Sequence, residues 1–201
     1  MGSGGSSVPL ASAAAVDYLS RMVRAAVLLA EGFEELEAVT IIDVLRRGEV
    51  EVVSLGVTGT TVRGSHGISL LAERALASGA QEAWDLVVLP GGMPGASTLR
   101  DDPRVQAFLR AQRDRGTPLA AICAAPIALG RAGLLGGRRA TCFPGFEAQL
   151  LGATVSAEAV VEDGDVITSR GPGTALAFAL ALVARLQGAA QADKIRASML
   201  A

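Results

Sequence analysis

The run Pro118-Leu-Ala-Ala-Ile-Cys-Ala-Ala-Pro-Ile-Ala-Leu129 constrains this chain more than any other segment. Leu119 to Ile122 is a short, fully apolar stretch, the signature of a strand buried on both faces. Ala124 to Leu129 reads as the start of a helix, with Pro126 tolerated in the first turn. Cys123 falls on the joint. A side chain on a strand-to-helix turn is lifted clear of the sheet, as in a nucleophile elbow. A helix N-terminus offers partial positive charge and free N–H groups, so a thiolate is expected to be favoured there. The alternative is a cysteine acting as a small buried hydrophobe.

The same alternation recurs along the chain. Strands are expected at Val23 to Leu29, Glu51 to Leu55, Asp85 to Leu89 and Leu119 to Ile122. Helices are expected at Glu34 to Arg47, Pro103 to Arg115 and from Ala124 to about Arg131. Gly56 to Gly67 reads as turns with short strands. Beyond the elbow follow a short strand at Arg139 to Cys142 and a helix near Gly145 to Leu151. Short strands near Val155, Val160 and Val166 come next, then a long last helix after Thr174. Alternating strands and helices mean an α/β sandwich around a mostly parallel sheet. Half of the residues are hydrophobic and only 3% aromatic, so Ala, Val, Leu and Ile must build the core. The 201 residues suit one domain, expected over 22–201. Residues 1–21 begin with a Gly/Ser-rich linker composition and are expected to be a disordered leader or an added tail, with Met22 as functional start.

Charge and cysteine count narrow the function. A net charge of −2 without a basic cluster gives no nucleic-acid or anionic-membrane signal. No apolar run reaches spanning length. Two cysteines, Cys123 and Cys142, argue against a secreted disulfide scaffold, and a cytoplasmic location is expected. One histidine, His66, and no Cys-x-x-Cys give no metal-ligand spacing, so no metal or cofactor is expected.

In doubly wound sheets ligands sit beyond the carboxyl ends of the strands. The turn after Leu29, the glycines after Leu89 and Cys123 should converge there. Glu37 shares a helical stripe with Ile41 and Val44, so its carboxyl group is expected to be partly buried, with a raised pKa. A protonated Glu37 would donate to a thiolate and an ionised one would oppose it, so the two must titrate together. Glu34 and Glu35 read as solvated residues or as helix N-terminal charges. Gly91 and Gly92 could bring backbone N–H groups against an oxyanion, or simply form a turn.

Four segments occur in order: Glu34-Glu-Leu-Glu37, Leu89-Pro-Gly-Gly92, Ala121-Ile-Cys-Ala-Ala-Pro126 and Thr168-Ser-Arg-Gly-Pro-Gly-Thr174. Together they resemble the ThiJ/PfpI superfamily, in the branch named after the Parkinson-disease protein DJ-one, over about residues 22–201. The resemblance implies a flavodoxin-like three-layer sandwich, a homodimer, and a reactive Cys123 hydrogen-bonded by Glu37. It implies an oxyanion-like pocket from Gly91, Gly92 and the amide of Ala124. It implies cofactor-free conversion of methylglyoxal, glyoxal or their early adducts (glyoxalase or deglycase action), with redox sensing or chaperone action through oxidation of the same cysteine as the alternative. Phe143 stands where some relatives carry a histidine, which leaves proton transfer to Glu37 and Cys123. Ala124 directly follows Cys123, so a Cys-His-Glu hydrolase triad is not expected. His66 lies where relatives often carry an arginine that reaches the partner subunit's pocket; a surface turn histidine is the other reading. Cys142, beside Phe143, reads either as a structural thiol or as a resolving thiol for Cys123.

Overall fold

Alternate residues of the central strands pack to opposite sides of one sheet. On β1 (Arg24–Leu29), Ala25, Val27 and Leu29 enter one apolar cluster, while Ala26 and Leu28 enter a second. The same split runs through β6 (Leu86–Leu89) and β7 (Leu119–Ile122). A strand's period of two therefore feeds two cores, which is why these strands are apolar throughout. The computed structural model describes residues 22–201 and the terminal Met1, so the expected leader over 1–21 lies outside the described residues.

The sheet has seven strands in the order β10-β11-β7-β6-β1-β2-β5. It is completed by β2 (Glu51–Gly56), β5 (Arg74–Ala75), β10 (Val160–Asp163) and β11 (Val166–Ser169). All pairings are parallel except β10 with β11. The five long parallel strands follow the flavodoxin-like order, with the switch point between β1 and β6. Two small pairs lie outside the main sheet. They are β3 (Thr61–Arg63) with β4 (Ser69–Leu71), and β8 (Arg139–Ala140) with β9 (Thr154–Val155).

Helices cover both faces. The first cluster is closed by α1 (Glu35–Arg47) and two C-terminal helices; the second by α2 (Leu76–Gly79), α3 (Gly95–Asp101), α4 (Pro103–Asp114) and α5 (Pro126–Arg131). α1 carries Ala38, Ile41, Val44 and Leu45 inward, at helical spacing. Asp102 caps α4 by accepting from the Arg104 amide, with Pro103 at the first position.

The structure corrects several expected boundaries. The last helix breaks at Gly188, whose φ of +90° ends α6 (Ala175–Gln187) before α7 (Ala189–Ser198). The helix expected near 145–151 is one 3-10 turn, Glu147–Gln149. The strand expected to reach Cys142 stops at Ala140, because the Thr141 amide donates to Thr168 Oγ1 instead of a ladder partner. α3 was not expected at all: Gly95 at its start hid the helical pattern.

Phe178 on α6 is fully buried against the α1 side of the core. Phe178→Ala is expected to cost about 3–5 kcal/mol. Urea denaturation should show this as a lower midpoint with an unchanged slope.

Candidate active site

Cys123 adopts a left-handed backbone, φ +63°, one of few non-glycine residues in this chain to do so. Its amide donates to the Ser169 carbonyl at 2.9 Å, and its carbonyl accepts from the Phe143 amide at 2.8 Å. Those two bonds pin the joint between β7 and α5 from both sides. The helix itself begins at Pro126, two residues later than expected, so Cys123 to Ala125 form the elbow.

The side chain lies 8% exposed beneath the loop after β6. The Gly92 and Ala124 amides both reach the sulfur. Gly91 does something else: its amide donates to Glu37 Oε2 at 2.8 Å. This corrects its expected place as an oxyanion donor, because the N–H is already taken by the carboxylate. A Cβ on Gly91 would stand 2.6 Å from Cys123 Cβ and 2.9 Å from Glu37 Oε2, so only glycine fits between the two side chains. Gly92 holds φ +91°, and a Cβ there would strike the Glu34 amide at 2.4 Å.

Glu37 is fully buried. The Glu34 carboxylate caps α1 by accepting from the Glu37 amide at 2.7 Å, which fixes the turn carrying the Glu37 side chain. Its Oε1 has no conventional hydrogen-bond partner, and the Cys123 thiol is the side chain that interacts with this carboxyl group. Burial pushes Glu37 up to about 7, against the Gly91 amide and the thiol, with the Glu34 charge adding to the rise. Burial and the negative charge of Glu37 together push the thiol up to about 12, against the Gly92 and Ala124 amides. A thiolate beside an ionised Glu37 is disfavoured, as the coupling between the two groups requires. It becomes accessible when Glu37 carries the proton and can donate it, so the two groups handle one proton between them near neutrality.

Glu34 and Glu35 stand at the start of α1, one of the two places expected for them, but they are not solvated, at 9% and 5% exposed. Glu35 accepts from the His66 and Ile68 amides and lies 2.9 Å from His66 Nδ1. Burial raises its carboxyl group, but these donors outweigh it and hold it at about 2. The Glu35 contact in turn raises the His66 imidazole. A long-range clasp of this kind leaves no local pattern in the sequence. The ligand atoms of Glu34, Glu35 and His66 lie within 4.8 Å of one another, the only such group among the described residues. They are engaged with each other and with backbone amides.

Cys142 is buried and packs in the second apolar cluster, whereas Cys123 packs in the first. Burial, with the Glu147 charge, pushes its thiol up to about 11.

The family model for DJ-1/PfpI matches residues 23–185. The chain belongs to the DJ-1/PfpI family. It is 38% identical to Drosophila melanogaster dj-1beta, covering 88% of this chain and 96% of that protein. It is 41% identical to Arabidopsis thaliana DJ-1 homolog B over 83% of this chain, but spans only 39% of that longer relative. A Caenorhabditis elegans protein named glutathione-independent glyoxalase DJR-1.2 is 34% identical over 79% of this chain and 85% of its own length. The crystal structure of Drosophila DJ-1beta superimposes with a TM-score of 0.85 at 37% identity, covering 90% of this chain and 98% of that one. That of oxidized Toxoplasma gondii DJ-1 gives 0.85 at 38%, over 89% and 98%. Among the described residues no helix is long and apolar enough to cross a membrane.

The raised Glu37 pKa has a consequence for stability in this DJ-1/PfpI domain. Its folded value, about 7, lies above its ordinary 4.5. The unfolded chain therefore ionises first. The contribution of Glu37 to stability is greatest below about pH 4.5, falls as pH rises to about 7, and is level above that. The fall is of order 3 kcal/mol. Glu37→Gln, which still offers Gly91 an acceptor, should remove this fall. Urea titrations from pH 4 to 8 should show the variant gaining on wild type up to about pH 7; parallel pH profiles would contradict the assignment.

Proposed function

We propose that this protein is a cysteine-dependent, cofactor-free glyoxalase. Its substrates are 2-oxoaldehydes such as methylglyoxal and glyoxal, or their early adducts on other molecules. The observation that carries this reading is one carboxyl group, Glu37, held near neutrality against a thiol on an elbow. A pKa of about 7 is where a group can both take and give a proton efficiently.

The chemistry follows from those two groups. Glu37 takes the thiol proton as the Cys123 sulfur attacks the aldehyde carbon and passes it to the carbonyl oxygen, which becomes the hydroxyl of a hemithioacetal. The Gly92 and Ala124 amides, aimed at the sulfur, lie beside the oxygen on which charge develops. Glu37 then removes the proton from the former aldehyde carbon and passes it to the keto oxygen, giving an enediol; the hydroxyl on the sulfur-bearing carbon returns its proton to Glu37, which delivers it to the neighbouring carbon. The product is a 2-hydroxy thioester. Water cleaves it, releasing the 2-hydroxy acid and the thiol. Substrate plus water equals product, and no external oxidant or reductant is consumed. The name of the Caenorhabditis relative supports this reading, which implies protection against carbonyl stress, in the cytoplasm.

A second reading, redox sensing with chaperone action, uses the same sulfur. It is supported by the two amides, which would hold the oxygens of an oxidised Cys123.

The activity test is lactate formation from methylglyoxal in glutathione-free, metal-stripped buffer. Cys123→Ala should abolish it, and Glu37→Gln should lower kcat by about 10²-fold or more. Aldehyde loss without lactate, or loss indifferent to Cys123→Ala, would give the redox reading first place.

We also propose that the protein acts as a homodimer. Leu36 and Val39 on α1 and Ile68 and Leu71 near the β3–β4 hairpin are 48–76% exposed, a cluster of large apolar side chains. His66 stands in the same hollow, with Leu36, Val39 and Ile68. A second copy over this face would bring His66 towards the neighbouring subunit. Sedimentation velocity should show a species of two chains, reduced to one by Leu36→Glu with Ile68→Glu. An unchanged sedimentation coefficient would exclude this face.

A further inference from the structure

Phe143 is 43% exposed although it is bonded through its amide to the carbonyl of the buried Cys123. Its ring rests on the backbone of Gly171, where a Cβ would come within 3.1 Å of it. Phe143, Pro144, Arg170 and the segment Gly171 to Thr174 line a groove of about 290 Å³. Two backbone hydrogen bonds tie the segments that carry this groove to the elbow. Phe143 bonds the Cys123 carbonyl, and Ser169, which precedes Arg170, accepts from the Cys123 amide. The ring packs beside Gly171 and the residue is 43% exposed, so part of the ring is open as an apolar platform. Arg170 donates to the Ala157 carbonyl and pairs with no carboxylate among the described residues, so the groove's rim is positive.

We infer that Phe143 is the specificity-determining residue of the site, and that the groove takes the flat aromatic substituent of an aryl 2-oxoaldehyde whose carbonyl carbons lie at Cys123. This rests on the glyoxalase reading and deepens it by naming a substrate class. A methyl substituent is too small to cover the platform. A phenyl ring can lie on it, in the offset or edge-to-face arrangements aromatic pairs prefer. The reaction is balanced as before: phenylglyoxal and water become mandelate. The thioester forms on Cys123, and Glu37 moves the proton between the two carbons.

The test compares phenylglyoxal with methylglyoxal. Mandelate and lactate are measured directly, because arginine side chains consume phenylglyoxal without turnover. Wild type should favour phenylglyoxal in kcat/KM. Phe143→Ala should lower the phenylglyoxal-to-methylglyoxal ratio by about tenfold, and Phe143→Tyr should preserve it. A ratio unmoved by Phe143→Ala, or no preference in wild type, overturns the inference while leaving the glyoxalase reading intact. A second measurement separates the two claims. Saturation-transfer NMR with acetophenone, which has no aldehyde to react, should show binding to wild type and its loss in Phe143→Ala. If neither hydroxy acid forms but acetophenone behaves in this way, the glyoxalase reading falls and the aromatic subsite stands. If acetophenone does not bind wild type, the subsite falls.

Discussion

The hydrogen bond from the Gly91 amide to Glu37 Oε2 ties together three separate parts of the fold. Glu37 comes from the first turn of α1, Gly91 from the loop after β6, and Cys123, against both, from the elbow after β7. Without that acceptor the loop amide would be buried and unpaired, at a cost of about 1–3 kcal/mol. Without the loop, the carboxyl group would keep only the Cys123 thiol to offset its burial. The switch point between β1 and β6 is what brings these strand ends side by side, so topology delivers the pieces and one bond locks them.

Opposing influences act on that carboxyl group. Burial favours its neutral form, while the Gly91 amide and the thiol favour its ionised form. The result lies near neutrality rather than at either extreme. The thiol feels the same burial and, in addition, the charge of its partner, so neither residue has a protonation state independent of the other. Glu34 contributes twice, by capping the turn that positions Glu37 and by placing a negative charge near it.

Much of this was legible in the residues. The apolar strands around β1, β6 and β7 were visible as continuous runs because both of their faces are buried. The elbow was visible because Cys123 follows such a run directly and Pro126 marks the helix start. The stripe of Glu37 with Ile41 and Val44 foretold its burial. What sequence could not supply was partnership. The donors that bury Glu35 come from the β3–β4 turn, about thirty residues away in the chain. The Gly91 amide is free in any local reading and is occupied only once α1 has docked. The balance of influences on the thiol is tertiary for the same reason. A helix start suggests a stabilised anion, but the burial and the neighbouring carboxylate that oppose it are tertiary facts.

The left-handed backbone at Cys123 sets stability and chemistry against each other at a single residue. A non-glycine residue in this region carries about 1–2 kcal/mol of steric cost that glycine does not. The surrounding bonds to Ser169 and Phe143 hold the joint in that shape whatever side chain it bears. Glycine at position 123 would relieve that cost at the expense of the thiol, so the backbone and the sulfur make opposite demands on one residue.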